Sequence, residues 1–81
     1  MTENPLEKFN AICARVLQLT PDHIVDSLSP TTTPSWDSFN ALSLVSELEQ
    51  GFAIHLTQKE VRSVQNIGEI KQLLRARNIA L

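Results

Sequence analysis

Apolar side chains return every three or four residues in three separate stretches of this chain. That spacing lines one face of a helix and cannot line one face of a strand, where the period is two. No other feature constrains the fold as much. In the first stretch Leu6, Phe9, Ile12, Cys13, Val16 and Leu17 share a face. It opens on Asn4-Pro5-Leu6-Glu7, with a capping side chain, a proline at the first helical position and a glutamate three residues after the cap. The pattern predicts a helix over residues 5–19. Thr20-Pro21 should end it, because the residue before a proline is pushed out of the α region.

A second helix is expected over residues 37–50, with Leu42, Val45, Leu48 and Phe52 as its apolar stripe. Gly51 followed by Phe52 reads as its stop, the glycine taking positive φ and Phe52 folding back on the last turn. Thr57-Gln58-Lys59-Glu60 is a capping-box pattern that predicts a short third helix over 57–62. Asn66-Ile67-Gly68-Glu69 repeats it and opens a fourth helix over 66–77, with Ile67, Ile70, Leu73 and Leu74 inward. Lys71, Arg75 and Arg77 lie on or near its C-terminal turns, where cations suit the helix dipole. Gly68 costs that helix roughly 1 kcal/mol relative to alanine, softened by its first-turn position.

Between the first two helices runs a long connection, Thr20 to Trp36, beyond the ~12–15 residues usual in compact domains. Ile24, Val25 and Leu28 are candidates to pin it to the core, through a short turn opened by Thr20-Pro21-Asp22-His23. Ser29 to Ser35, with Pro30 and Pro34, suits no regular element. Phe52 to Leu56 alternates weakly but has no partner strand and reads as an extended linker. The expectation is an all-α fold, a small four-helix bundle with a long first loop and a short third helix, forming one domain over residues 1–81.

Composition limits what such a bundle can do. Aromatics are 5% of the 81 residues and tyrosine is absent, so the core must be aliphatic. One cysteine rules out an internal disulfide, and one cysteine with two histidines is too few for a structural zinc site. Seven basic against nine acidic side chains leave a net charge of −2, which argues against a nucleic-acid partner. No apolar run approaches the roughly 18 residues that span a bilayer, so no membrane partner is expected. The start, Met-Thr-Glu-Asn-Pro, lacks the pattern of a secretion signal, and a cytoplasmic location is the expectation.

Catalytic signatures do not emerge: there is no glycine-rich phosphate loop, nucleophile elbow or pair of carboxylates with a credible pocket. Cys13 belongs to an apolar face and reads as packing. His23 and His55 have no neighbouring cysteine or carboxylate constellation in the sequence, and Trp36 reads as a plug over the core. A monomer that does not itself catalyse is the expectation.

The remaining feature is Trp36-Asp37-Ser38-Phe39, where the long loop meets the second helix. A helix N-terminus carries unsatisfied N–H groups and partial positive charge, so it favours a phosphate near its first residues. Ser38 is well placed to carry a charged group there, and Asp37 to cap the helix.

Asp37-Ser38-Phe39, followed by Leu42, Val45, Leu48-Glu49, Phe52 and Ile54, resembles the acyl carrier protein family. The family pattern is Asp-Ser-Leu and then a helix ending in Leu-Glu-x-x-Phe-Gly-Ile, and the similarity extends over nearly the whole chain. It implies that Ser38 is esterified by 4′-phosphopantetheine, donated from coenzyme A by a phosphopantetheinyl transferase. Asp37 is implied in contacting that transferase and its metal. Phe39, with Asp37, Glu47 and Glu49, is implied in recognising partners that load, condense or transfer acyl groups. The growing chain would be shielded in a cleft lined by Leu42, Val45, Leu48, Phe52 and the fourth helix.

Three positions depart from the pattern. Phe39 stands for leucine, Trp36 stands where many members have glycine, and Ala53 replaces the glycine after Phe52. The second helix is also weakly acidic, which points to a dedicated partner set in a specialised pathway and away from central fatty-acid synthesis. Peptide-synthetase carriers more often show Gly-Gly-(His/Asp)-Ser, which Ser35-Trp36-Asp37-Ser38 lacks, so acyl cargo is favoured over aminoacyl cargo. An unmodified helical interaction module of the same fold is the reading from another class.

Overall fold

The computed structural model describes residues 4–81; Met1 to Glu3, the start of the stretch read for a secretion signal, lie outside the described residues. The chain is all-helical among the described residues, in the order α1 (Pro5–Leu17), a 3-10 turn (Pro21–His23), α2 (Ser38–Phe52), α3 (Gln58–Ser63) and α4 (Ile67–Arg75). The four predicted helices are therefore present, with their ends moved.

The amino ends follow local chemistry. Asn4 Oδ1 accepts the Leu6 N–H at 2.8 Å and the Glu7 N–H at 3.4 Å. Thr57 and Glu60 form the complete capping box, with Glu60 N–H donating to Thr57 Oγ1 at 3.1 Å and Thr57 N–H to Glu60 Oε1 at 2.9 Å. Asn66 Oδ1 accepts from Glu69 N–H at 2.9 Å.

The carboxyl ends depart from expectation. α1 stops at Leu17, two residues early, because Gln18 takes the left-handed conformation at φ 59. Leu19 N–H then returns to Ala14 O at 2.9 Å, completing a Schellman stop before proline is reached. α2 runs on to Phe52, and Gly51 lies inside it with φ in the ordinary range. Ala53 is the left-handed residue, at φ 54, with Ile54 N–H returning to Glu49 O at 3.1 Å. The position of Gly51 has a different cause. A Cβ there would sit 2.9 Å from Ile12 Cδ1, so the missing side chain lets α1 and α2 approach.

Phe9, Cys13 and Leu17 of α1 meet Leu44 and Leu48 of α2 and Ile67, Ile70 and Leu74 of α4 in one apolar cluster. Each such side chain, taken from water, contributes roughly 1.5–3 kcal/mol. Ile24 and Trp36 bring the long loop onto the same cluster, whereas no residue of α3 is buried. Three expected contributors face solvent instead: Leu6 is 37% exposed, Val25 49% and Leu42 69%. Leu42 lies about 120° around the helix from Leu48, so the stripe that packs is Ala41, Leu44, Leu48 and Phe52.

The loop is fastened to α4 through its backbone. Ile67 N–H donates to Leu28 O and Gly68 N–H to Asp26 O, each at 3.0 Å, which satisfies two of the orphan donors at the start of that helix. Gly68 allows the approach, since a Cβ there would lie 3.2 Å from Asp26 Cβ. Lys71, read from the sequence as a dipole-matching cation, reaches Asp26 at 2.7 Å instead, and its ammonium lies 5.9 Å from the Phe9 ring centroid. This pairing holds the Asp26 carboxyl below the usual carboxylate range. Arg77 lies beyond α4 and folds back: its guanidinium binds the Glu60 carboxylate and donates to His55 O at 3.0 Å and Leu73 O at 3.1 Å.

Candidate functional site

Trp36 and Asp37 together fix how Ser38 is displayed. Trp36 is 6% exposed, anchored in the apolar cluster, and its N–H closes a turn onto Thr33 O at 2.9 Å. Asp37 is extended, with φ −96 and ψ −176, and its carboxylate accepts the Asn40 N–H at 2.8 Å. Asn40 adds a brace by donating its side-chain amide to Ser35 O at 2.6 Å. With the indole held inside and the cap closed, Ser38 becomes the first residue of α2 and is exposed. The first N–H groups of a fifteen-residue helix surround it, a setting that favours an attached phosphate over an uncharged group.

Phe39, 75% exposed, and Leu42, 69% exposed, lie one turn apart beside Ser38 and form an apolar patch on the surface. Sequence reasoning singled out Phe39 and assigned Leu42 to the interior. The four acidic and aromatic residues singled out are thus not equivalent. Asp37 and Phe39 sit at the serine. Glu47 is further along α2, where its carboxylate pairs with Arg15 of α1. Glu49 accepts the Leu56 N–H at 2.8 Å and lies 3.4 Å from His55 Nδ1, so it fastens the connection after α2.

Beside α2, facing α3 and α4, there is an apolar cavity of about 120 Å³. Val45 and Leu48 line it, as does Leu73 of α4. Leu42 and Phe52, expected in that lining, are not part of it. Leu42 points outward, and the Phe52 ring lies 5.2 Å from the Lys8 ammonium on the α1 side. The residues that replace them include Trp36 and Ala41, together with Val61 of α3. Leu44 and Leu48, four apart, signalled this inner face, but the neighbouring Leu42 offered a competing one.

The other reactive side chains are engaged elsewhere. Cys13 is fully buried, and burial pushes its thiol up to about 12, against a smaller opposing pull from the Lys71 ammonium. His23 is exposed and hydrogen bonds to Thr20 Oγ1 at 2.7 Å. Among the described residues, no group of histidine, cysteine and carboxylate side chains is arranged to hold a metal, and no helix is long and apolar enough to cross a membrane.

No protein-family model and no curated protein matches the chain. Among solved structures it is similar to a candidate acyl carrier protein from Mycobacterium tuberculosis. The two superpose with a TM-score of 0.80 at 22% identity, over 90% of this chain and 97% of that one. The departures at Trp36, Phe39 and Ala53 thus leave the backbone course intact, and the chain has the all-helical fold of an acyl carrier protein.

Proposed function

We propose that this chain is a carrier protein whose Ser38 bears 4′-phosphopantetheine and moves thioester-bound acyl groups between partner enzymes. The observation that carries the reading is an exposed serine at the first position of α2, capped by Asp37, in a chain with this fold. The residues present fit the group. The hydroxyl is accessible, the amino end of α2 favours a phosphodiester, and the Trp36 anchor keeps the attachment point off the apolar interior. The group supplies a thiol on a flexible arm, where an acyl chain is held as a thioester.

The protein's own residues divide the remaining work. Ser38 supplies the hydroxyl oxygen that becomes esterified to the phosphate of the arm, its proton and 3′,5′-ADP leaving as the coenzyme A pyrophosphate is cleaved. Asp37 holds the helix start and offers a carboxylate to the transferase and its metal. Phe39 and Leu42 give partner enzymes an apolar foothold beside the arm, and Glu47 and Glu49 contribute the negative charge left after their contacts with Arg15 and the Leu56 N–H. The partners are a phosphopantetheinyl transferase and enzymes that load, condense or transfer acyl groups in a cytoplasmic, specialised pathway. The chain presents substrates and leaves the chemistry to those enzymes.

Incubating the purified protein with coenzyme A and a broad-specificity phosphopantetheinyl transferase, followed by intact-mass measurement, tests the assignment. One phosphopantetheine is expected on the native chain and none on Ser38→Ala. An unmodified native chain, or equal modification of the variant, overturns the proposal.

A further inference from the structure

The carboxylates of α2, its cap and α3 are each committed within the chain. Asp37 accepts the Asn40 N–H, Glu47 pairs with Arg15, Glu49 accepts the Leu56 N–H, and Glu60 pairs with Arg77. The cations of α3 are not. Among the described residues neither Lys59 nor Arg62 pairs with a carboxylate, and both are exposed. Val61, between them, lines the same cavity as Ala41 and Val45, so α3 runs beside α2. Val64, just past Arg62, shares that cavity with Trp36, which turns the Arg62 end of α3 toward the serine's end of α2. The uncommitted charge around the exposed Phe39 and Leu42 is therefore positive. Along α2 each of these two apolar side chains is followed four residues later by a serine, Ser43 after Phe39 and Ser46 after Leu42. Residues four apart stack on one helix face, so a bulky step drops to a shallow one against which a second helix can rest.

We infer that this face receives a partner helix whose apolar stripe packs on Phe39 and Leu42 and whose flank is acidic, its carboxylates meeting Lys59 and Arg62. The inference rests on Ser38 bearing the arm, because the arm brings partners to this end of α2. Apolar contact supplies most of the attraction, since Phe39 and Leu42 leave water on docking. Charge selects the partner. A carboxylate opposite each exposed cation adds a weak attraction, whereas a lysine there adds a repulsion of like size. A basic flank finds no uncommitted carboxylate on α2 or α3 to answer it. Asp37, at the serine, is held against the positive amino end of its own helix. Because Lys59 and Arg62 stay in solvent, added salt weakens the selection and leaves the apolar contact.

The test titrates two amphipathic helical peptides into isotope-labelled full chain carrying the arm, with the modification verified by intact mass. The peptides share one leucine stripe and differ only in their flanks, glutamate in one and lysine in the other. Amide shifts are expected at Phe39, Leu42 and Arg62. At low ionic strength the glutamate peptide should bind about five- to thirtyfold more tightly, and the ratio should approach one as salt rises. Lys59→Gln with Arg62→Gln should erase the preference, and Lys59→Glu with Arg62→Glu should reverse it. Both positions are exposed and neither side chain belongs to the Thr57–Glu60 capping box, so the helix is kept. Leu42→Ser should weaken both peptides alike. Equal or tighter binding of the lysine peptide, a preference that survives the double substitutions, shifts confined to another face, or no shift with either peptide overturns this inference alone. Absence of phosphopantetheine on the native chain overturns the carrier reading and this inference with it.

Discussion

The end of α2 allows a quantitative test of how the chain reaches the cavity. Ala53 holds φ 54, a conformation that costs a residue with a Cβ about 1–2 kcal/mol. Replacing it with glycine removes that cost in the folded state. It also gives the unfolded chain more freedom, which takes back about 0.4–1 kcal/mol. Ala53 is exposed, so the lost methyl forfeits little packing. The net expectation for Ala53→Gly is a gain of about 0.5–1 kcal/mol. With a urea dependence of about 1–1.5 kcal/mol/M, the denaturation midpoint should rise by about 0.3–1 M at unchanged slope. Ala53→Val should move it the other way, because a β-branched side chain in the left-handed region is strained further. A midpoint that falls or stays constant in Ala53→Gly would refute the account of this stop, and with it the reason the chain turns there toward Leu56 and the cavity wall.

Asp37→Ala removes the α2 cap and should cost about 0.5–2 kcal/mol in a urea titration. Asp37→Asn keeps an accepting oxygen, so it should hold stability while slowing phosphopantetheine addition in timed mass measurements. The Glu60 carboxyl is held down to about 2, first by the Arg77 guanidinium and then by the Thr57 N–H. A depressed folded value means that its stabilising contribution is complete above the unfolded glutamate range near ~4.3 and is lost as pH falls through about 2. An NMR titration of the Glu60 carboxyl should therefore show a midpoint well below the ordinary one, returning toward it in Arg77→Ala. Cys13, with its thiol pushed up to about 12 and fully buried, should resist alkylation at pH 8 in the folded protein and react rapidly in urea. Rapid reaction of the native chain would contradict its place in the core.

Features decided within one turn of chain were legible in the sequence. The caps at Asn4, Thr57 and Asn66 depend on a side chain and an N–H two or three residues away, and each formed where its pattern stood. The serine's position followed from the same logic, since Asp37 caps the helix that Ser38 begins. Features decided between elements were not. Leu42, Leu44, Val45 and Leu48 cover a wide apolar arc, and only the packing of α1 and α4 selects which part turns inward. Gly51 looked like a helix stop because glycine tolerates positive φ, yet the constraint on it is the Ile12 side chain across the helix interface. Lys71 and Arg77 had suitable positions for a dipole role, while their partners, Asp26 and Glu60, are distant in sequence.

The carbonyls of Asp26 and Leu28, tied to the first amides of α4, divide the connection before Ser38 into two shorter spans. The first, from α1 to Leu28, has its length dictated at both ends. The second, from Ser29 to Ser35, closes through its own turns, the Asn40 brace on Ser35 O and the Trp36 anchor. Extra residues spliced into the second span would lengthen a surface excursion at slight entropic cost. A single residue spliced in before Asp26 would pull the fastening out of register and unseat α4. Among chains sharing this architecture, variation in loop length should therefore accumulate on the serine's side of that fastening, leaving the earlier half constant.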